Sequence, residues 1–238
     1  MFKTSREQHE GTKKGDATRD RILEVALELF RKRGFERTTM REIASSAKVS
    51  LGAAYYYFPS KEALVHAFYD RVQRAHNESV ERVCESSDEL LERVRSVLVT
   101  KLDVVNDDRA LLGALFRYAG DADHPLSVFG ESTRGARSTA IFTCARALEG
   151  AHLSPPLSDA AARALWLAHL GLLLHFIHDR SPGQETTRRL AARIAELFCA
   201  AVRLATLPGA SLFLKPMLDA LGEAGLLTSQ PNSAEGSK

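Results

Sequence analysis

The sequence predicts an all-α protein in which an N-terminal three-helix domain precedes a larger C-terminal helical bundle. Three observations support this fold class. Two short helix signals follow one another between residues 39 and 57, apolar residues recur at helical spacing through most of the later chain, and no stretch sustains the alternation of a strand. With 238 residues, of which 45% are hydrophobic and 26% charged, the chain can bury a substantial core in one or two domains.

The first helix is predicted over residues 17–33. Its buried stripe consists of apolar residues at helical spacing, namely Ile22, Leu23, Ala26, Leu29 and Phe30. Gly34 follows as a C-terminal cap. Residues 1–16 are polar and rich in Lys, Glu, Gly and Thr, so we interpret them as a disordered arm.

Two short helices are predicted next. Thr39 and Glu42 match a capping box, which starts a helix over residues 40–47. Ser50 is the N-cap of a second helix over residues 51–57, which ends there because the proline at position 59 disfavours helical geometry in the residue before it. Two short helices joined by a tight turn form a helix-turn-helix, and the second helix of this motif enters the major groove of DNA.

The second short helix carries residue types that suit contact with DNA. Gly52 destabilises a helix interior by about 1 kcal/mol relative to alanine, and its bare backbone allows another surface to approach closely. Tyr55, Tyr56 and Tyr57 point about 100° apart, so at least one hydroxyl should face outward, where it can donate to a phosphate. Lys61 lies in the first turn of the next helix, where a bound phosphate would offset its unfavourable interaction with the helix dipole.

A longer series of residues in this region occurs in one order between Thr18 and Leu64. It consists of Arg21-Ile22-Leu23, Ala26, Leu29-Phe30, Gly34-Phe35, Thr38-Thr39, Glu42-Ile43-Ala44, Val49-Ser50, Gly52, Tyr55, Phe58 and Ser60-Lys61. This series resembles the TetR family of bacterial transcriptional regulators. Two residues depart from the family's pattern. Lys48 stands where glycine is frequent, so we expect a left-handed backbone there, and Ala54 stands where a larger aliphatic residue is usual.

The helix-turn-helix predicts a double-stranded DNA operator as a partner. The residues nearest the base edges are Ser50, Leu51, Gly52 and Ala53. The predicted phosphate contacts are Thr38, Thr39, Tyr55, Tyr56, Tyr57 and Lys61. Residues 1–62 hold 13 Lys and Arg against 9 Asp and Glu, a modest basic excess in a chain of net charge +2.

The rest of the chain is also predicted to be helical. Helices are predicted over residues 61–85, 88–105, 109–119, 125–149, 158–179, 184–205 and 211–221, with separators rich in Asn, Asp, Gly, Pro and Ser. A break of the helix over residues 125–149 at Gly130 and Gly135 is the alternative to one continuous helix there. The predicted domains are a disordered arm (1–16), a helix-turn-helix DNA-binding domain (17–62), a helical effector-binding and dimerisation domain (63–224) and a disordered tail (225–238).

Small residues at helical spacing on the last two long helices predict a homodimer interface. The residues of this stripe are Ala161, Ala164, Ala168, Gly171 and His175 on the first helix and Ala191, Ala195, Phe198 and Val202 on the second. In the TetR family the corresponding helices form a four-helix dimer interface, so the resemblance implies the same contact. Core faces and homodimer interfaces look alike in sequence, so packing inside one chain is the alternative.

A second stripe on the helix over residues 158–179 suggests a pocket for a small, largely apolar effector. It holds Trp166, His169, Leu173 and Phe176, and further lining is predicted from Phe68, Leu102, Phe116, Tyr118 and Phe142 on the middle helices. The alternative is a core face with one hydrogen-bonded histidine.

Several classes of function are disfavoured. Walker, GxSxG, HExxH and Rossmann motifs do not occur, so we expect no enzyme. The histidines lack the spacing of a zinc site, and we expect no metal and no cofactor. Three widely spaced cysteines, a polar N-terminus and an apolar run of only residues 164–177 favour a cytoplasmic protein without a membrane partner.

The resemblance implies a transcriptional repressor that a small effector releases from its operator. A protein of another class, a helical ligand-binding or scaffold protein without operator-specific binding, is the alternative. DNA from the protein's own promoter region separates the two, because only the regulator should bind it at physiological salt.

Overall fold

The computed structural model describes residues 5–121 and 123–224, with side chains described from residue 15 onward except that of Ser211. Within these residues the regular structure consists of α-helices and short 3-10 turns without strands, which confirms the predicted all-α fold class. The helices are α1 (Ser5–Arg33), α2 (Met40–Ser46), α3 (Leu51–Tyr57), α4 (Lys61–Ser86), α5 (Leu90–Val104), α6 (Arg109–Phe116), α7 (Arg134–Ala147), α8 (Pro155–His178), α9 (Glu185–Ala205) and α10 (Ala210–Glu223).

Four helices have an end at least three residues from the predicted one, among them α6, which ends at Phe116 and not at residue 119. Helix α1 begins at Ser5, so the disordered arm is wrong for residues 5–16, where Glu, Gln, Lys and Arg favour a helix. Residues 1–4 and the predicted tail from 225 onward lie outside the described residues. Helix α8 begins at Pro155, because proline fits the first turn of a helix.

Helix α7 starts at Arg134, later than predicted. Two buried hydroxyls in the preceding segment bond to the backbone instead of leaving it free for a helix. Ser127 Oγ donates to the carbonyl of Ala119 at 3.0 Å, and Thr133 Oγ1 donates to the carbonyls of Ser127 and Gly130. Such local bonds compete with helix formation.

The chain divides by its internal contacts into two compact units. Unit 1 consists of the residues up to Arg74 together with Val105–Arg137, and unit 2 consists of Ala75–Val104 together with the residues from Ser138 onward. This division does not fall at the boundary near residue 62 that the sequence suggests, because the α6 segment joins the N-terminal helices. The division of roles between DNA binding and effector binding therefore stays a prediction.

The core of unit 1 is built from α1, α2, α3, α6 and the first part of α4. The predicted stripe of α1 is buried except for Leu29, which is half-buried, and Phe30 packs edge-on against Phe35 at a centroid distance of 5.3 Å. Ile43 of α2 and Leu64 of α4 are fully buried in the same core. The helix-turn-helix is thus held by a continuous apolar core.

In unit 2, α5 packs against α8 and α9. Val97 and Leu98 of α5, Leu172 of α8 and Ala195 of α9 are fully or almost fully buried. The connection from α8 to α9 is closed by a carboxylate, because Asp179 accepts hydrogen bonds from the backbone and hydroxyl groups of Ser181 and Thr187 at 2.7–2.9 Å. These bonds, first of all that from the Thr187 hydroxyl, hold the pKa of Asp179 well below its usual range.

Helix α8 is, among the described helices, the one with the length and hydropathy of a membrane span. It extends beyond the apolar run of residues 164–177, the part that is by itself too short to span a bilayer. A core helix of a soluble protein meets the same criteria, so this single helix is weak evidence for a membrane.

Candidate DNA-binding surface, ligand site and dimer face

The helix-turn-helix is built from the local signals that the sequence contains. The capping box of α2 is present, since Glu42 N donates to Thr39 Oγ1 at 3.3 Å and Thr39 N donates to Glu42 Oε2 at 2.8 Å. The turn after α2 passes through Lys48 with a φ of 54°, which confirms the expected left-handed backbone. Ser50 Oγ then accepts from Ala53 N at 3.0 Å and caps α3.

Helix α3 has one inward and one outward face. Ala54 is fully buried and Phe58, its C-cap, is almost fully buried, which fixes the helix on the core. Ser50, Leu51 and Gly52 are exposed at the opposite side. Ala53 and Tyr57 are half-buried, Tyr55 is exposed, and Tyr56 has 82% of its surface exposed. The prediction that at least one of the three consecutive tyrosines faces outward is therefore confirmed, because Tyr55 and Tyr56 are both exposed.

Two of the predicted phosphate contacts are engaged inside the chain. Thr38 is buried and donates its hydroxyl hydrogen to the Gly34 carbonyl at 2.9 Å, so the prediction that it holds a phosphate is wrong. Thr39 is exposed, but its hydroxyl donates to Glu42 Oε2 at 2.9 Å within the capping box.

Lys61 is engaged as well. Its ammonium donates to the carbonyls of Phe35 at 2.9 Å and Glu36 at 3.3 Å, and it lies 4.5 Å from the ring centroid of Phe35. Lysine has three N–H donors, so one remains for a phosphate. In the described structure Lys61 joins the start of α4 to the segment between α1 and α2, and its phosphate contact stays a prediction.

Three exposed cations around the motif were missed by sequence reasoning. Arg37 precedes α2, Arg41 lies in its first turn, and Lys48 lies in the turn before α3. Arg33, by contrast, is paired with Glu42 at 3.0 Å. The signal that would have identified these cations is their position outside the apolar stripes, next to two capped helix starts.

The predicted effector-pocket residues are divided between the two units. Phe68, Phe116 and Tyr118 belong to unit 1, where Phe68 is buried in the core and Tyr118 stacks on His124 at a centroid distance of 4.1 Å. In unit 2, Leu102, Trp166, His169 and Phe176 are buried and Leu173 is half-buried. Phe142 is 67% exposed, because α7 turns Thr143, Cys144 and Ala147 inward instead, and its place in a pocket stays a prediction.

Two of the buried polar side chains of unit 2 form a histidine pair. His76 of α4 and His169 of α8 are 1% and 3% exposed, and their ring centroids are 5.4 Å apart at an interplanar angle of 51°. His76 Nε2 lies 3.0 Å from the Val97 carbonyl oxygen. Sequence reasoning found His169 but missed His76, although its position four residues after Val72 continues the apolar stripe of α4.

The environment of this pair disfavours positive charge on the rings. Burial, and then the positive charge of Lys101, lower the pKa of His76 to about 3. Burial, Lys101 and His76 lower the pKa of His169 well below its usual value. Burial also lowers the pKa of Lys101 to about 8 and raises that of the neighbouring Cys144 to about 12.

Three of the four predicted dimer residues of α9 face the interior of unit 2. Ala191 and Ala195 are fully buried and Val202 is almost fully buried, so this face packs inside unit 2. The remaining predicted positions are exposed (Ala164 and Gly171) or half-buried (Ala161, Ala168, His175 and Phe198), and His175 Nδ1 lies 2.8 Å from Thr187 Oγ1. The small residues of α9 allow α5 and α8 to approach it closely, which is why they lie inward.

A different apolar stripe is exposed. Helix α9 presents Leu190, Leu197 and Leu204, seven residues apart, and α8 presents Leu167 and Leu174 beside Gly171. We call these six residues the leucine face. Leu197 is 72% exposed. A seven-residue repeat of leucines on helices is the pattern of helix–helix association.

The described residues contain no group of three or more His, Cys, Asp or Glu side chains that could hold a metal ion. Cys144 and Cys199 are buried and Cys84 is half-buried, all as free thiols.

Two family models match the chain. The model described as bacterial regulatory proteins of the tetR family matches residues 22–68. The model described as a tetracyclin repressor-like C-terminal domain matches residues 93–220, which is more than half of the chain. The first match contains the whole helix-turn-helix, and the second contains α8 and α9 with the leucine face.

Similar proteins carry related names. The HTH-type transcriptional regulators ArpR and TtgR of Pseudomonas putida are 36% and 35% identical over 132 residues, which span 53% of this chain and 60% of each relative. A TetR-family regulator from Syntrophomonas wolfei has a similar structure, with a TM-score of 0.65 and 18% identity over 78% of this chain and 96% of that chain. The structure of the SmeT–triclosan complex is also similar, with a TM-score of 0.56 and 23% identity over 75% of this chain and 90% of that chain. At these identities the structural likeness concerns the fold.

Proposed function

The chain belongs to the TetR family of bacterial transcriptional regulators, and from this we propose that it is a sequence-specific DNA-binding repressor, released from its operator by a small, largely apolar effector. The outward face of α3 is the observation that carries the proposal. Ala54 and Phe58 hold the helix on the core, while the residues from Ser50 to Gly52 are presented to solvent. An α-helix held in this way fits the major groove of DNA.

Gly52 supports this orientation. A Cβ atom added to it would meet within the chain only Ser50 Oγ, at 4.0 Å, among the described atoms. Packing inside the chain therefore does not require glycine at this position, although glycine weakens the helix. Close approach to an external surface such as the edges of base pairs gives a reason for it.

Exposed polar groups on both sides of α3 would position the helix on the DNA backbone. Tyr56 can donate a hydrogen bond to a phosphate, and Arg37, Arg41 and Lys48 add positive charge near the two helix starts. Such contacts hold the register on the duplex without reading sequence, which is left to the α3 residues.

A dimer would double this surface. We place its interface at the leucine face of α8 and α9, because burying exposed leucines against a second copy removes apolar surface from water. A two-fold dimer reads two half-sites about 34–36 Å apart. Release by an effector requires that the ligand bind the DNA-incompetent state more tightly, with a coupling free energy of about 1–3 kcal/mol in typical cases.

The test is binding of the full-length protein to DNA from its own promoter region, measured by fluorescence anisotropy at physiological salt against random DNA. We expect preferential binding by the wild-type protein and its loss in Gly52→Leu, whose new side chain would occupy the space between α3 and the groove. Gly222→Leu is the matched control, since Gly222 is also a helical glycine, and a Cβ atom added to it would meet no described atom within 4 Å. Equal affinity for promoter and random DNA would favour the helical ligand-binding or scaffold protein.

A further inference from the structure

Two buried imidazoles in unit 2 carry nitrogen atoms without partners. Neither Nδ1 of His76 nor Nε2 of His169 has a hydrogen-bond partner among the residues that the structure describes, and both atoms are inaccessible to solvent. The large majority of buried side-chain polar atoms in proteins have a hydrogen-bond partner. An adjacent pair of exceptions, 5.4 Å apart between ring centroids, therefore indicates a site for a polar group that is not part of the chain.

The contact with Val97 fixes the tautomer of His76. A carbonyl oxygen can only accept a hydrogen bond, so Nε2 of His76, 3.0 Å away, carries the hydrogen. Because burial and Lys101 keep the pKa of His76 at about 3, the ring is neutral near pH 7 and Nδ1 holds a lone pair. The unpartnered atom of His76 is thus an acceptor that requires a donor.

The unpartnered atom of His169 can take the complementary role. Its ring is also neutral near pH 7, because burial, Lys101 and His76 lower its pKa. In the tautomer with hydrogen on Nε2, His169 is a donor. A hydroxyl group is both donor and acceptor, so one hydroxyl oxygen can satisfy both histidines. An ether oxygen or a carboxylate has no hydrogen to give to His76.

We propose that His76 and His169 together bind the hydroxyl group of an otherwise apolar phenol inside unit 2. This inference rests on the proposed function, in which the protein senses a small molecule. The hydroxyl donates to His76 Nδ1 and accepts from His169 Nε2. The positive charge of Lys101 acts on both rings and favours a hydroxyl oxygen that can bear partial negative charge, which selects a phenol over an aliphatic alcohol.

The apolar part of the ligand matches the rest of this helix face. Three buried apolar residues lie on the same face of α8 as His169, because their offsets from it match helical spacing. They are Leu165 (four residues before), Leu172 (three after) and Phe176 (seven after). A metal ion is not the expected occupant, because the described residues offer no third ligand of the His, Cys, Asp or Glu type.

The test uses three probes with one apolar body. Para-tert-butylphenol, its methyl ether para-tert-butylanisole and para-tert-butylbenzoate are titrated into the full-length wild-type protein by isothermal titration calorimetry. We expect the phenol to bind at least about tenfold more tightly than the ether, since the ether leaves a buried acceptor unpaired. The benzoate should also bind at least about tenfold more weakly than the phenol.

His76→Phe should remove the preference for the phenol over the ether, and His169→Phe should reduce it, which keeps the test valid if one variant does not fold. His178→Phe is the matched control, because His178 lies on α8 but is exposed, and it should keep the wild-type preference. Nitrogen-NMR of the imidazole groups gives an independent readout, since a donor at His76 Nδ1 shifts that resonance.

Equal affinity for phenol and ether, tighter binding of the benzoate, or no phenol binding at millimolar concentration would overturn the inference. A crystal structure with the phenol in which only a water molecule bridges the two histidines would also overturn it. None of these titrations contains DNA, so a failure here leaves operator binding intact. A protein that prefers the phenol but not its own promoter would refute the proposed function instead.

Discussion

Replacing Lys61 with alanine separates two roles that the sequence and the structure assign to this residue. The sequence predicts a phosphate contact, whereas the structure shows the ammonium bonded to the carbonyls of Phe35 and Glu36 and placed over the Phe35 ring. If the internal contacts dominate, Lys61→Ala weakens the helix-turn-helix region itself. If the phosphate contact dominates, the variant is stable but binds DNA with one electrostatic interaction fewer.

The expected loss of stability follows from these contacts. A hydrogen bond to a charged group contributes about 1.5–3 kcal/mol and a half-exposed cation–π contact about 0.5–1 kcal/mol. Lys61 is half-buried, and its second carbonyl contact is long at 3.3 Å, so the lower end applies. We therefore expect Lys61→Ala to reduce the free energy of unfolding by about 2–3 kcal/mol, and Lys61→Met, which keeps the apolar stem, by less.

Two measurements decide between the roles. Urea denaturation gives the free energy of unfolding, and operator affinity at several salt concentrations gives the electrostatic slope, which falls by about one unit when the protein neutralises one phosphate fewer. Lys48→Ala is the control, since Lys48 is exposed and alanine meets the same left-handed backbone; it should flatten the slope with little change in stability. A Lys61→Ala protein of wild-type stability with a reduced slope would refute the internal role.

Two further substitutions test unit 2. Leu197→Glu places a charge in the exposed leucine face, so we expect a folded monomer by analytical ultracentrifugation, and a folded dimer would place the interface elsewhere. Asp179→Asn removes the carboxylate that closes the connection from α8 to α9. Because the pKa of Asp179 is depressed, its contribution to stability is present above the ordinary carboxyl pKa near 4 and is lost as pH falls below it. The wild-type protein should therefore lose more stability than the variant between about pH 5 and pH 2 in acid denaturation, and parallel curves would contradict this role.

Local signals carried most of what could be predicted about the DNA-binding region. The capping box at Thr39, the N-cap at Ser50 and the proline after α3 act through neighbouring atoms, so the sequence determines the ends of both helices almost to the residue. The left-handed backbone at Lys48 was predicted differently, from the glycine that is frequent at this position in the family. The role of Lys61 could not be found like this, because its carbonyl partners lie some 25 residues away in the chain.

The dimer stripe shows where periodicity stops being informative. Both faces of α9 repeat at helical spacing, one with small residues such as Ala191 and Ala195 and one with Leu190, Leu197 and Leu204. Hydrophobicity favours neither, and the choice depends on how closely α5 and α8 approach the helix. Close packing requires the small residues inside, which leaves the leucines outside. The distance between α9 and its neighbours α5 and α8 depends on the tertiary structure, so it cannot be predicted from the sequence of α9 alone.

The histidine pair extends the same reasoning to the ligand site. An unpaired buried polar atom costs about 1–3 kcal/mol, and an apolar ring of similar shape at either position would avoid this cost. Stability of the fold therefore does not explain the two unpartnered nitrogen atoms near Lys101. It also does not explain why the Val97 carbonyl selects the tautomer of His76 that leaves a lone pair on Nδ1. A ligand hydroxyl would recover the hydrogen bonds that folding leaves unmade, and only a group that both donates and accepts recovers both. The preference for a hydroxyl ligand then arises from the free energy that the unpaired His76 Nδ1 already costs in the unliganded protein. A ligand without a hydrogen-bond donor leaves this acceptor unpaired and does not recover that free energy.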